Sequence, residues 1–299
     1  MLQQISNGVL FLEIPMNNQL MIEERQNMSK AILLLRAQRQ AYKKAKFFYL
    51  ARMTFNVFWP PIAIFLYFLF DSSSGNFILT ASSIIVIVTF MMEFPERKLT
   101  KTGALIQEQF DTFVFSMKWN QALCGEKIRD EDIHDFAELE KTPDEELKNW
   151  YTGIEDYEDK KYILKAQRMN VSWSYKQKKY FKTILLFTIV IVFLLIIALG
   201  LVYKLLLSEF FIVLFFPALP LFLYLIKSIK DFGDQVEELD RLNSHIRNLL
   251  NKRSVTYEEL RFNQDAIFIH GRVPNNIVPD KLYWKLRNNL ESTFKKINK

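Results

Sequence analysis

The sequence is poor in the residues that catalytic and metal-binding motifs need. Its 299 residues include a single cysteine, Cys124, which excludes a disulfide framework within the chain. The low cysteine content favours a reducing compartment for the water-exposed segments. The eight glycines are widely spaced, so no glycine-rich phosphate loop is present. The three histidines, His134, His245 and His270, are distant in sequence, and no HExxH, CxxC or nucleophile-elbow motif occurs. We therefore expect a protein that is not an enzyme and that needs no metal or cofactor.

Charged residues are absent from four long apolar runs, although they make up 24% of the chain. Each run is near the ~20 residues that a helix needs to cross ~30 Å of hydrocarbon, so we expect four transmembrane helices. Short turns join the runs in pairs, which predicts two helical hairpins. The absence of ionisable side chains inside the runs argues against a proton relay, a voltage sensor or an ion-coupled transporter. The four runs cover residues 53–70, 72–92, 183–203 and 210–226.

The basic residues that flank these runs predict the orientation of the hairpins. Lysines and arginines cluster before the first and third runs and after the second and fourth, whereas the turns at 71–75 and 204–209 hold only Lys204. By the positive-inside rule, both termini and the segment between the hairpins face the cytoplasm. The first 22 residues contain Glu13 and Pro15 and lack a basic n-region, so we expect no signal peptide.

The remaining segments complete a mainly all-α membrane protein. Residues 154–199 contain no proline or glycine, so we expect one helix that extends the third span into a cytosolic stalk. An acidic insert carries fourteen acids and four bases, and we interpret it as a solvated loop with short helices rather than a calcium site, because it lacks the central glycine. The parts are a cytosolic N-terminal helix (1–52), the first transmembrane hairpin (53–92), cytosolic helices (93–182) that include the acidic insert (126–159), the second transmembrane hairpin (183–226), and a cytosolic coiled-coil-like heptad helix with a small C-terminal domain (227–299).

After the fourth run, apolar residues recur at spacings of three and four, as at the a and d positions of a coiled coil. Asn243 takes an a-type position, where a polar residue fixes register at some cost in stability. Two interpretations share this pattern: a coiled coil between chains that forms a homo-oligomer, or packing against the stalk of the same chain. The seam consists of Phe232, Val236, Leu239, Asn243, Ile246 and Leu250.

Three polar residues lie on one face of the second run, at helical spacing: Asn76, Thr80 and Ser83. They either line a water-filled pore or form hydrogen bonds between helices. Four spans are too few to enclose a pore in one chain, so the first interpretation requires an oligomer.

Five short motifs, in this order and at these distances from the apolar runs, resemble the SMODS-associated four-transmembrane effector family. They begin with Arg-Gln-Asn at 25–27 and a lysine-rich segment at 37–46 before the first run. The others cover residues 167–173, 260–267 and 278–283. The resemblance extends over nearly the whole chain and agrees with the layout of two hairpins.

The resemblance implies a function in bacterial anti-phage signalling of the CBASS type. In this interpretation a cyclic-oligonucleotide synthase senses infection, and its cyclic di- or trinucleotide product binds the effector. The effector then oligomerises among the lipids of the inner (cytoplasmic) membrane and permeabilises it, so that the infected cell dies. Two alternatives stay open: a housekeeping channel or transporter subunit, and a membrane-anchored coiled-coil scaffold.

A cyclic-oligonucleotide ligand would need cations for its phosphates and flat side chains for its bases. Arg261 and Arg272 are favoured because they lie farthest from the membrane in sequence. An alternative interpretation also stays open. In it, lipid headgroups or acidic neighbours bind Arg39 and Arg168, which lie close to the bilayer, and Tyr283 and Trp284 fill a small core. The candidates are Arg25, Arg39, Arg168, Arg261 and Arg272 for phosphates and Tyr42, Trp173, Tyr283 and Trp284 for bases.

Overall fold

A computed structural model describes residues 21–70, 75–151, 154, 159–274, 277–279, 282 and 285. The regular structure of these residues is helical and includes no strand, which confirms the all-α prediction for this part of the chain. The helices are α1 (Ile22–Arg25), α2 (Ser29–Phe70), α3 (Gly75–Val114), α4 (Gln121–Cys124), α5 (Asp130–Glu138), α6 (Asp159–Val202), α7 (Leu207–Glu209), α8 (Phe216–Leu250) and α9 (Tyr257–Ala266). A 3₁₀ turn lies at Asp144–Glu146, and two π-helical segments lie at Phe210–Phe215 and Ile267–Arg272.

Helices α2 and α3 form one long antiparallel hairpin. The Tyr42 hydroxyl donates to Gln107 Oε1 over 3.2 Å, and Trp59 Nε1 donates to Ser82 Oγ over 2.9 Å. Residue numbers therefore rise along one helix as they fall along the other. Because each helix has about 40 residues at ~1.5 Å per residue, the hairpin is about twice as long as the hydrocarbon layer is thick.

Helices α6 and α8 form a second antiparallel pair. The Ser172 hydroxyl donates to Asn243 Oδ1 over 2.9 Å, outside the predicted spans. The rings of Phe193 and Phe222 lie 6.5 Å apart, nearer the other end. Helix α6 is continuous over its 44 residues, which confirms the predicted unbroken helix from residue 159 onwards, and its cytosolic position stays a prediction.

Within the described residues, three helical stretches are long and apolar enough to cross a membrane: Asn76–Val114, Lys160–Val202 and Leu207–Leu250. Their apolar parts coincide with the second, third and fourth predicted spans. Many large apolar side chains on these parts are exposed; Phe187 and Leu201, for example, are 66% and 73% exposed. An exposed apolar surface of this extent is typical of a lipid-facing helix. The first span, in α2, stays a prediction.

We call the part of the structure outside the predicted spans the cytosolic body, after its predicted location. Its largest buried cluster joins α2, α3, α6, α8 and α9. Leu239 and Ile246 of the seam are fully buried and belong to the same cluster as Leu164 of α6. Further along the seam, the Phe181 and Phe232 rings meet edge to face at 5.2 Å. The inward residues of the seam therefore pack within the chain, which is the second of the two interpretations above.

The described part of the acidic insert contains two short helical segments. Ile133 and Ala137 are the buried residues of α5, which packs on α2. The 3₁₀ turn is held by Arg36, whose Nε donates to Asp144 Oδ1 over 2.9 Å. The expectation of a solvated loop with short helices therefore holds for residues 126–151, with the addition that one face of the insert is packed.

Candidate ligand pocket and a buried ion cluster

The segment after α8 brings the favoured arginines into the cytosolic body. Helix α9 begins at a capping box, in which Thr256 Oγ1 accepts from the Glu259 amide over 3.2 Å. Without a break, α9 continues into the π-helical segment Ile267–Arg272. A π-helical turn changes the direction in which the following side chains point, and such turns are frequent at functional sites. Here the turn directs Arg272 into the body and leaves His270 on the wall of a cavity.

Arg272 lies in a buried ion cluster with two carboxylates of α3. Its Nη1 donates to Glu108 Oε2 over 3.0 Å, and its Nη2 donates to Asp111 Oδ2. The Tyr151 hydroxyl donates to the other oxygen of Asp111 over 2.5 Å. Glu108 and Asp111 are fully buried, and Arg272 is 8% exposed. Each charge therefore depends on its protein partners, because water cannot solvate it there.

Arg261 and Gln264 of α9 complete this cluster. Arg261 Nη2 donates to Glu108 Oε1 over 2.7 Å and to Asp265 Oδ1 over 2.6 Å. Gln264 Nε2 donates to Glu108 Oε2 over 2.8 Å and to Asp111 Oδ2 over 2.9 Å. Two guanidinium groups thus bind three carboxylates and tie α9 and the π-helical segment to α3.

The pKa values of the cluster follow from its burial and its charges. Burial raises the pKa of the Glu108 carboxyl, against the opposing effect of Arg272. Burial acts to lower the pKa of Arg272, but Asp111 and Glu108 outweigh it, so the pKa of Arg272 lies above its ordinary value. Burial and the Asp111 carboxylate raise the pKa of the Tyr151 phenol. The tyrosine therefore stays a hydrogen-bond donor, and the arginine stays charged.

Of the five arginines predicted to bind phosphates, the structure brings Arg261 and Arg272 together at Glu108. Arg25 Nη1 donates to Ser116 Oγ over 2.8 Å, beyond the end of α3. Arg39 Nη1 donates to Thr142 Oγ1 over 3.2 Å, in the acidic insert. Arg168 is half-buried on α6, where burial and the nearby Arg247 lower its pKa. The role of all five in ligand binding stays a prediction.

The predicted aromatic residues lie in different surroundings. Tyr42 packs against α3, where a side chain on Gly103 would approach its ring to 3.1 Å, and burial raises its pKa to about 12. Trp173 is half-buried on α6. Tyr283 and Trp284 lie outside the residues that the structure describes.

The three polar residues of the second span face outwards from the single chain. Asn76, Thr80 and Ser83 are exposed, and the two hydroxyl groups donate to carbonyls of their own helix over 2.9 and 3.0 Å. The hydrogen bond between helices is made instead by the buried Ser82, whose hydroxyl accepts from Trp59. Sequence analysis missed this pair, although an indole N–H within the hydrocarbon layer needs an acceptor.

A cavity of about 490 Å³ lies where the second and fourth spans end and the cytosolic body begins. This volume is within the range of small-molecule sites, about 300 to 1,000 Å³. We call it the juxtamembrane pocket. Its lining includes Arg97 and Lys101 of α3 and, along one face of α8, Lys227, Asp231, Asp234 and Glu238.

Glu93 joins the two hairpins at the membrane end of the juxtamembrane pocket. Its Oε1 accepts from Arg97 Nε over 2.9 Å and from Lys227 Nζ over 2.6 Å. Arg97 belongs to α3, as Glu93 does, whereas Lys227 follows the fourth span on α8. Arg52 Nη2 donates to Glu96 Oε1 over 2.9 Å. In the sequence these cations indicated membrane orientation alone, because the acids that bind them could not be assigned.

Comparison with known proteins agrees with this architecture. A family model described as the SMODS-associating 4TM effector domain matches residues 21–299. A similar curated protein, "Probable CBASS effector molecule" of Bacillus cereus (strain VD146), is 33% identical over 271 residues, which cover 87% of this chain and 91% of the relative. No solved structure matches the chain. The match over nearly the full length shows that the chain belongs to the SMODS-associating 4TM effector family.

Proposed function

We propose that this protein is a CBASS effector of bacterial anti-phage defence. It oligomerises in the inner membrane, and a cyclic oligonucleotide made by an associated synthase triggers it to permeabilise that membrane, without catalysis of its own. Two comparisons support this proposal: membership of the effector family, and the name of the B. cereus relative.

One structural observation carries the mechanism. Helices α3, α6 and α8 each run without a break from the buried core of the cytosolic body into an apolar segment with exposed side chains. A change in the packing of the body would therefore move the spans directly, because a continuous helix transmits a displacement along its axis. A ligand bound in the cytosol would act on the membrane through these three helices.

A four-span topology with cytoplasmic termini is part of this proposal. The first span would be the second half of α2, where four large side chains at spacings of four, three and four are all exposed. They are Phe58, Ile62, Phe65 and Leu69. A row of this kind fits a lipid-facing side of α2, next to the face that packs on α3.

Dye release tests the function. The full-length protein is reconstituted in liposomes that contain a self-quenching dye, and a panel of cyclic di- and trinucleotides is added to the side that carries the cytosolic body. We expect dye release with at least one nucleotide and none without it. Mass measurement in detergent, with and without that nucleotide, tests the oligomer.

The other outcomes identify the alternatives. Release that does not depend on any nucleotide would indicate a housekeeping channel. A protein that neither binds a nucleotide nor releases dye would be better described as a membrane-anchored scaffold. Either result would overturn the proposed function.

A further inference from the structure

We infer that the juxtamembrane pocket binds a phosphodiester anion, and that this anion displaces Glu93 from Lys227 and Arg97. The displacement removes an ion link between the two hairpins. The inference rests on the proposed function, since it assigns the pocket to the activating nucleotide. The pocket contains none of the arginines that the sequence analysis proposed for this role.

The two cations that bind Glu93 share a single oxygen of its carboxylate. Arg97 and Lys227 both donate to one oxygen, Glu93 Oε1, so neither forms a parallel two-oxygen pair with it. The other oxygen, Oε2, lies 3.9 Å from Arg52 Nη1. A phosphodiester has two free oxygens and would accept from the arginine fork and the ammonium group separately, which is a stronger arrangement.

These cations are accessible to a ligand. The side chains of Arg97 and Lys227 are 59% and 47% exposed, whereas Glu93 is 12% exposed. Lys101 lies one helical turn after Arg97, on the same face of α3, and is also exposed. A phosphate entering from the cytosol would reach all three cations without unfolding any element.

The acidic residues of the pocket restrict the kind of phosphodiester. Asp231, Asp234 and Glu238 follow Lys227 on the same face of α8, at spacings of four, three and four, and line the cavity. They would repel a simple anion, but they accept hydrogen bonds from N–H groups, as acidic side chains do from the amino groups of bases. The pocket therefore fits a phosphodiester that also carries N–H donors. A cyclic oligonucleotide and the headgroup of phosphatidylethanolamine both meet this description.

The remaining wall holds the pocket in place. Gln235 Nε2 donates to the His270 carbonyl over 2.7 Å, and Lys178 Nζ donates to the Gly271 carbonyl over 3.2 Å. Helices α6 and α8 thus fix the π-helical segment that lines the cavity. The ion link at Glu93 is the part of the pocket wall that a ligand can replace.

Release of Glu93 would loosen the boundary between the hairpins. Glu93 immediately follows the second span, and Lys227 immediately follows the fourth. Beside them, the Tyr224 hydroxyl donates to the Tyr49 hydroxyl over 3.2 Å and is a second link between the hairpins. One neutral hydrogen bond holds less strongly than the same bond together with an ion pair.

Binding to the full-length protein in phosphatidylcholine nanodiscs tests the assignment. Lys227→Met and Lys101→Met should each weaken the binding of the activating nucleotide by about tenfold or more. The matched controls, Lys230→Met and Lys98→Met, remove exposed cations of the same helices that do not line the pocket, and should change affinity less than about twofold. Lys227→Arg keeps the charge and should retain most of the binding.

Glu93→Gln tests whether Glu93 and the ligand compete for Lys227 and Arg97. It should strengthen nucleotide binding and produce dye release without nucleotide, because the neutral amide oxygen binds the two cations less strongly than the carboxylate does. Glu259→Gln, in an exposed pair with Lys252, is the control and should do neither. Normal thermal unfolding of each variant would show that it is folded. If Glu93→Gln is folded and still releases dye at the wild-type nucleotide concentration, with no leak of its own, the inference is overturned.

Two arms separate this inference from the proposed function. If the wild type binds a nucleotide and Lys227→Met and Lys101→Met bind it equally well, the pocket assignment is wrong while the function stands. If the wild type binds no nucleotide, the proposed function is wrong. A headgroup source would then be supported if phosphatidylethanolamine increased dye release from the wild type and not from Lys101→Met, which keeps the Glu93–Lys227 pair. No difference between these two proteins would overturn the pocket assignment as well.

Discussion

Arg272 and Glu108 form a 3.0 Å ion pair in the interior of the cytosolic body, and they lie 164 residues apart in the chain. The pair joins the C-terminal segment to α3, which continues into the second span. Together with the hydrogen bonds from Gln235 and Lys178, this junction holds the π-helical segment beside the juxtamembrane pocket.

Removal of this pair should unfold or loosen the cytosolic body. Arg272→Met leaves two buried carboxylates without their main cation, and the loss of one partner from a buried pair costs about 3–5 kcal/mol. Arg272→Lys should rescue poorly, because an ammonium group cannot bridge Glu108 and Asp111 as the planar fork does. Thermal unfolding in detergent measures both effects. Arg129→Met, which removes an exposed pair with Asp132, is the control and should leave the melting temperature unchanged.

The same variants bear on the original ligand prediction. If Arg272→Met keeps the wild-type melting temperature and loses nucleotide binding, then Arg272 contacts the ligand and does not stabilise the cytosolic body. Loss of both together is the expected result.

Lys178 should make stability depend on pH. It lies on α6 before the third predicted span, and burial lowers its pKa from 10.5 to about 7. The unfolded chain therefore binds more protons than the folded one between about pH 7 and 10.5, so the free energy of unfolding should rise with pH over that window. The comparison with Lys178→Met isolates this effect from other titrating groups.

In Lys178→Met that part of the slope should vanish, and the variant should be more stable than the wild type at pH 7. The Gly271 carbonyl keeps a second donor, Gln235 Nε2, at 3.3 Å. Equal pH slopes for the two proteins would mean that Lys178 is solvated by water in the folded state.

Topology is tested with an impermeant maleimide on intact spheroplasts. In a Cys124→Ser background, a cysteine at residue 73 should be labelled, and a cysteine at residue 145 should not. Glu145 is chosen because it is exposed in the acidic insert, whereas Glu140 is buried. Labelling of the wild-type chain should already be low, because Cys124 is buried and burial raises its thiol pKa to about 11. The reverse labelling pattern would invert the orientation.

The helices of the second, third and fourth spans and the unbroken helix α6 could be predicted from the sequence, because both predictions depend on local composition. An uncharged run and a stretch without proline or glycine each predict a helix without reference to the rest of the chain. The seam was ambiguous for a physical reason: apolar spacings of three and four on α8 bury equally well against a second chain or against α6. Leu239 and Ile246 lie against the same chain, and only tertiary contacts could show this.

The residues that bind the arginines could not be predicted from local composition. A sequence shows that Arg261 is a cation, but not that Glu108, 153 positions earlier, already binds it. The π-helical turn adds to the difficulty, because it alters the face on which Arg272 lies. Ser82 and Ser83 illustrate the same limit on a smaller scale, since one hydroxyl is buried beside Trp59 and its neighbour faces outwards.

This difference between two adjacent serines is testable. Ser82→Ala removes the acceptor of the Trp59 indole inside the hairpin and should destabilise the protein by about 1 kcal/mol. Ser83→Ala, the control, removes a hydroxyl that donates to the Leu79 carbonyl of its own helix and should have little effect. Thermal unfolding in detergent or bicelles measures both. Equal effects would show that the contact with Trp59 contributes nothing.

Thr80 tests whether the exposed polar face of the second span lines a conducting path. Its hydroxyl is satisfied within its own helix, so Thr80→Leu leaves no buried group without a partner and should not change folding or assembly. If chains assemble with this face inwards, the added apolar bulk narrows and dewets the path, and nucleotide-triggered dye release should fall by about tenfold or more. Thr188→Leu is the matched control, because that hydroxyl likewise donates to a carbonyl of its own helix, in the third span. Unchanged release from Thr80→Leu, with the oligomer intact, would assign Asn76, Thr80 and Ser83 to a surface that does not conduct.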